Sequence, residues 1–186
     1  AYLDKKYPEH DWSYHDFRDS NSSNLVKSAE KMTERGYYGI RMGEIVKNKL
    51  NINNPAIIDY ATNGKRSDFL DIFLIAKCKF MICSEGGLHI VPIVFRKPIV
   101  WVNVVLIWAF PRWCSGVVIT KKFYCNRERR YLTFDNIVNL GFFTKGADLN
   151  QKNIKVIENT SEEILDATVE MDERLRGNWE TTKEDE

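Results

Sequence analysis

The chain has 186 residues, 44% hydrophobic and 12% aromatic, enough for one core of ordinary domain size. Its 27 Lys and Arg against 26 Asp and Glu leave a formal charge of +1, which excludes the one-signed surface of a general nucleic-acid binder. Cys78, Cys83, Cys114 and Cys125 form no CxxC pair and have no histidines at zinc-finger spacing, so free thiols of a cytoplasmic protein are expected and a structural metal is not.

In chain order, the opening Ala1-Tyr2-Leu3-Asp4-Lys5-Lys6 reads like the middle of a longer polypeptide. His10 to Ser20 is polar and aromatic without a period. Ser22 and Ser23 then precede Leu25, Ala29 and Met32 at helical spacing, stopped by Gly36. Tyr37 to Arg41 reads as a short strand, Met42-Gly43 as a turn, and Ile45, Val46 and Leu50 as one face of a helix.

The pattern repeats. Pro55 to Ile58 is a short buried strand, Asp59 to Arg66 a polar loop, and Ser67 the cap of a helix carrying Phe69, Leu70, Phe73, Leu74 and Ala76. Lys79 to Cys83 is the next strand. The loop Ser84-Glu85-Gly86-Gly87 leads into a helix from Leu88 to Phe95, where Pro92 suits the first turn. Pro98 to Asn103 closes the series as a strand. Strands alternating with helices at this spacing predict an α/β domain with a Rossmann-like, doubly wound parallel sheet.

Beyond it the signals thin out. The longest apolar run, Ile99 to Pro111, is interrupted by Asn103 and falls short of the roughly 20 residues of a membrane span. Trp101, Trp108 and Trp113 read by default as a core strand and a covered loop; an acceptor pocket or a peripheral membrane contact is the alternative. Trp108 to Thr133 shows no clear pattern. Thr133 can cap a helix through Ile137 and Leu140, and Thr160-Ser161-Glu162-Glu163 is a capping box before Ile164, Leu165, Val169, Met171 and Leu175. One domain over 1–177 and a charged tail over 178–186 are expected.

An open parallel sheet binds ligands beyond the carboxyl ends of its strands, which directs attention to four junctions: Arg41 to Glu44, Asp59 to Ala61, Ser84 to Gly87, and Asn103. Gly86 and Gly87 allow backbone N–H groups to approach a phosphate, and Ser84 adds a hydroxyl donor. The commoner use of such a loop is a tight turn. Arg41 can clamp a diphosphate or form a surface ion pair; Asp59 and Tyr60 can face a nucleoside or serve a turn; Asp68 or Asp71 can reach a ribose hydroxyl. His89 reads as a packed structural histidine, and His10 and His15 as surface-loop residues with acceptor contact as the alternative. No Asp-x-Asp stands at these junctions, so neither a metal-bridged diphosphate nor another cofactor is indicated.

Tyr37-Tyr38-Gly39-Ile40-Arg41-Met42-Gly43, Ile58 to Ala61, Arg66 to Phe80 and Phe95 to Ile99 resemble a family of bacterial glycosyltransferases from surface-polysaccharide gene clusters. Ile157 to Thr160, Glu162 to Ile164 and Gly177 to Trp179 continue the likeness over nearly the whole chain. More remotely, the succession from the Ser67-Asp68 helix through the Lys79–Cys83 strand to the Ser84 loop is similar to the C-terminal, donor-binding half of fucosyltransferase-like enzymes of the GT-B fold. The resemblance implies a nucleoside-diphosphate sugar as donor, a glycan or lipid-linked glycan as acceptor, and an N-terminal half of the same polypeptide as partner. It places the enzyme in the cytoplasm or at the inner face of the membrane. The strand ends put Arg41, Ser84, Gly86 and Gly87 at the donor phosphates and Asp59, Asp68 or Asp71 toward the nucleoside, with Gly43, Tyr60 and Glu85 also in the donor site. A further phosphate-binding arginine belongs, in such enzymes, to a first strand that would lie before Ala1. Glu85 would repel a phosphate unless it turns away or meets a sugar hydroxyl. A nucleotide-sugar epimerase or hydrolase, and a non-catalytic sugar-nucleotide or protein-binding module, are the alternative readings of the same sheet.

Overall fold

The computed structural model describes residues 5–106, 115–139, 149 and 151–180. Its centre is β4 (Ile99–Val104), six consecutive buried residues. A strand buried on both faces reads as a continuous apolar run, as Ile-Val-Trp-Val does here. β4 pairs in parallel with β3 (Met81–Cys83) on one side and with β5 (Gly116–Thr120) on the other. Gly116 is required at its position, because a Cβ there would stand 2.5 Å from the Ile99 carbonyl oxygen.

The two-residue period of β4 divides its side chains between two layers. Val100 and Val102 pack with Val117 of β5 against Ile164, Ala167 and Met171 of α5 (Ser161–Arg176). Ile99 and Trp101 face the other way and meet Ile93 of α3 (Ile90–Val94), and an irregularity at Asn103, with φ +56°, breaks the period and turns Val104 to their side. α1 (Val26–Glu34) packs on α5 and α2 (Asp68–Lys77) on α3, so helices cover both faces. The caps expected for α2 and α5 are present: Ser67 Oγ accepts from the Leu70 amide, and Thr160 and Glu163 form a reciprocal capping box.

A second parallel ladder, β1 (Gly39–Ile40) with β2 (Ile57–Ile58), stands apart from the first. The chain is thus mixed α/β with parallel sheets, compatible with the Rossmann-like expectation, though its parallel strands form two ladders rather than one. A third sheet takes two of its three strands from the unpatterned stretch. There β6 (Lys122–Cys125) lies between β7 (Arg130–Tyr131) and β8 (Ile154–Ile157), all antiparallel, over a small core of Phe123, Ile137, Leu149 and Ile154. α4 (Phe134–Asn139) adds Ile137 to that core, and Thr133 Oγ1 accepts from the Asn136 amide at its start.

One expected helix is absent. Ile45, Val46 and Leu50 lie in a non-helical segment joining β1 to β2. Its polar groups are used across the loop instead: the Leu50 amide donates to Asp59 and the Asn48 carbonyl accepts from Arg41. Gly43 has φ +150°, and a Cβ there would also stand 2.9 Å from Val46 Cγ1, so this bend requires glycine. Trp108, Trp113, Cys114 and Leu140, and the tail over 181–186, lie outside the described residues, as does the His15 side chain. No helix among the described residues is long and apolar enough to cross a membrane.

Candidate functional site

Arg41 follows β1 and Ser84 follows β3, and both line a cleft of about 800 Å³ between the two parallel ladders. Residues 20–22, which lead into α1, join the two strand ends. The Ser20 hydroxyl donates to Ser84 Oγ at 2.9 Å, and Arg41 Nη2 approaches Ser22 Oγ at 3.4 Å. Gly43, Gly86 and Gly87 line the same cleft. The sequence therefore identified Arg41, Gly43, Ser84, Gly86 and Gly87 as a set that the fold does bring together.

The Arg41 guanidinium is half committed. Nη1 donates to the Asn48 carbonyl at 2.7 Å and lies 3.4 Å from Asp59 Oδ2, whereas among the described residues Nη2 has only the long Ser22 contact. Asp59 also accepts from the Leu50 amide at 3.0 Å and from the Thr62 hydroxyl at 2.7 Å. Burial works to raise its pKa, but those hydrogen bonds and the Arg41 charge outweigh it, and the carboxyl is held below its ordinary value. Asp59 thus orients Arg41 from behind and does not line the cleft itself.

Glu85 turns away from the cleft. Its carboxylate accepts from the Val105 and Leu106 amides at the end of β4 and pairs with Arg18 Nε at 3.3 Å. The negative charge that would oppose an anion in the loop is consequently spent on the end of a neighbouring strand. Gly86 and Gly87 have open space where a Cβ would stand, and the Gly86 amide donates to His89 Nδ1 at 3.3 Å. The His89 ring meets Trp101 edge-on with centroids 5.0 Å apart, and burial lowers its pKa. His89 is a structural brace of the loop.

Three other candidates lie outside the cleft lining. Tyr60 is buried, and its hydroxyl both accepts from the Ser67 amide and donates to the Ser67 carbonyl, fixing the start of α2. The Asp68 side chain is 97% exposed beside Arg66, and Asp71 forms a 2.8 Å ion pair with the same arginine. Both stand in the first turn of α2, whereas the helix reaches the cleft through Leu74 and Ile75 further along its axis. No group of three or more metal-binding side chains occurs among the described residues.

Lys121, which carries no sequence signal, and Asn103, the fourth of the strand-end junctions, hold the carboxyl edge together. Lys121 is only 4% exposed; its Nζ donates to the Phe17 and Asp19 carbonyls, and burial lowers its pKa. Asn103, with φ +56°, exchanges backbone-to-side-chain hydrogen bonds with Asn159 at 2.6 and 2.7 Å. The hydroxyl-rich run Ser20 to Ser23 was visible as a helix start, but its contact with Ser84 and Arg41 spans the fold. Compared with models of protein families, with curated proteins and with solved structures, the chain matches none.

Proposed function

We propose that the chain is the donor-binding domain of a glycosyltransferase, the C-terminal half of a GT-B type enzyme, which holds a nucleoside-diphosphate sugar at the carboxyl edge of its parallel strands. The observation that carries this reading is the shared cleft. An arginine whose Nη2 is held only by a long contact to Ser22 and a serine-glycine loop with open space beside its glycines flank the same cleft at two strand ends. Guanidinium and backbone N–H groups are the donors a diphosphate needs, and their charge would stabilise the diphosphate as it leaves the sugar. The cleft volume is that of a small-molecule site. Glu85, the residue that argued against an anion, is neutralised elsewhere.

In this reading the acceptor is a surface glycan or a lipid-linked glycan, handled on the cytoplasmic side. The base that activates its hydroxyl belongs to the N-terminal half, and the described residues of this chain supply donor binding only. Calorimetric titration with UDP, GDP, dTDP, ADP and CDP tests the claim. One of them binds, and Arg41→Ala and Ser84→Ala each weaken it about tenfold, the loss of one charge-assisted or hydroxyl contact. Arg41→Lys, which keeps the charge on Asp59, controls for folding. Absence of binding by all five, or unchanged affinity in both alanine variants, sinks the reading.

A further inference from the structure

The charges of the chain balance overall but not locally. Residues 121–131 and 151–157, which carry the antiparallel sheet, hold seven Lys and Arg and a single carboxylate, Glu128. Glu128 is spent on Arg130 at 2.6 Å, and Lys122 pairs with Glu163 of α5 at 2.6 Å. Arg127 and Arg129 of the β6–β7 turn and Lys155 of β8 are exposed and have no ion pair among the described residues. Strand alternation sorts the sheet into two faces. Phe123, Cys125 and Ile154 point inward and are 1%, 7% and 5% exposed. Tyr124 therefore points outward, in one row with its direct partners Tyr131 on β7 and Lys155 on β8. The two rings meet edge to face with centroids 5.2 Å apart, and Tyr131 is 57% exposed. Asn126 and Asn153, joined by a backbone hydrogen bond just beyond that row, are exposed too.

A cross-strand tyrosine pair stabilises a short hairpin by itself. Three uncompensated cations on the same small sheet do not: they repel one another, and an anion bound among them removes that repulsion. We infer that the outer face of this sheet binds an acidic glycan, a chain of carboxylate-bearing sugar rings. The C–H face of one sugar lies on the open Tyr131 ring, the carboxylates meet Arg127, Arg129 and Lys155, and the Asn126 and Asn153 amides serve hydroxyls. The row from Tyr131 to Lys155 crosses two strand spacings, about 10 Å, which is room for two linked rings. The rings are tilted by 73°, so one ring face is offered, which suits a sugar and not the successive stacked bases of a single-stranded nucleic acid. The preference for a glycan also rests on the glycosyltransferase reading, in which the acceptor is a glycan; no residue of the donor cleft takes part.

Calorimetric titration of the chain with hexamers of galacturonate and of mannuronate tests the inference, with neutral maltohexaose and a thymidine hexanucleotide as comparisons. At least one uronate binds, more weakly as salt rises, and maltohexaose and the oligonucleotide bind at least about tenfold more weakly than it does. Tyr131→Ala and the double variant Arg127→Gln/Arg129→Gln each lower uronate affinity by about fivefold or more and leave nucleotide affinity unchanged. The double variant lies in an exposed turn, so it keeps the test sound if Tyr131→Ala fails to fold. Binding of neither uronate, a comparison ligand bound as tightly, or unchanged affinity in the double variant overturns the inference. A chain that binds a uronate and no nucleotide keeps it and loses the donor reading.

Discussion

The β3–β5 ladder and the β1–β2 ladder are built from the same local ingredients and end up with opposite properties. β4 is paired on both sides and buried on both faces, with Ile99 fully inaccessible. β1 is paired on one side, and Ile40 is 39% exposed. The difference teaches where binding capacity resides: a strand whose hydrogen bonds and faces are all taken holds the fold, and a strand with one free edge can receive something. Stability within a domain is distributed unevenly in this way, and the weaker units are those available to ligands.

The largest expected effect separates the two ladders directly. Ile99→Ala destabilises the chain by about 3 kcal/mol, within the range for large-to-small changes at fully buried positions, whereas Ile40→Ala costs less than about 1 kcal/mol. Urea denaturation of both variants reads the contrast, and equal costs would abolish it.

The second effect concerns the fastening of one half to the other. α1 covers the β1 side of the molecule and is tied to α5 by Asp172, whose inaccessible carboxylate accepts from Tyr37 at 2.6 Å, Arg35 at 2.6 Å and Arg176 at 3.0 Å. Burial raises its pKa, but the bonds from Tyr37, Arg35 and Arg176 prevail, and the carboxyl lies below its ordinary 3.8. The stabilisation is therefore complete above about pH 4 and lost as pH falls through the depressed value. Asp172→Asn removes about 2 kcal/mol at neutral pH, the cost of withdrawing the carboxylate that Arg35, Arg176 and Tyr37 share while Arg35 keeps its second partner Glu173, and flattens that acid limb. Hydrogen exchange accelerates in α1 and β1 before β4; uniform acceleration would show that the halves are not separately fastened.

The smallest effect is at the Ser84 loop. His89 is neutral when it accepts from the Gly86 amide, and burial depresses its pKa from 6.5. A depressed histidine contributes stability above about pH 6.5, which declines as pH falls through the folded-state value. The protection factor of the Gly86 amide, its exchange rate corrected for the intrinsic pH dependence, falls a few-fold as His89 protonates, and His89→Gln, which supplies an acceptor without titrating, removes that change. A Gly86 protection factor without an inflection in the parent chain would separate the loop from His89.

Much of the candidate site was legible because the strand-end rule uses only local signals. Arg41, Gly43, Ser84, Gly86 and Gly87 each follow an apolar β-rich run, and the fold gathers them. Asp68 and Asp71 lie outside the cleft lining because they stand a turn ahead of Leu74 and Ile75, by which α2 reaches it, and periodicity does not report that distance along the axis. Glu85 was read by charge alone, and its partners, the Val105 and Leu106 amides, are 20 and 21 residues distant. The antiparallel sheet was missed for a similar reason: β7 has two residues and β6 pairs with β8 some 30 residues on, leaving too little local pattern.

The sequence by itself determined the helix caps at Ser67 and Thr160, the apolar run of the central strand up to Asn103, the turn glycine at 43, and the alternation that makes the chain α/β. Those are consequences of hydrogen-bonding groups and side-chain shapes within a few residues of one another. Only the tertiary structure decided that the parallel strands form two ladders, that Glu85 turns from the cleft to the end of β4, and that Asp59 stands behind Arg41. Each of these depends on which buried polar group meets which partner across the fold, and such pairings leave no trace in local periodicity.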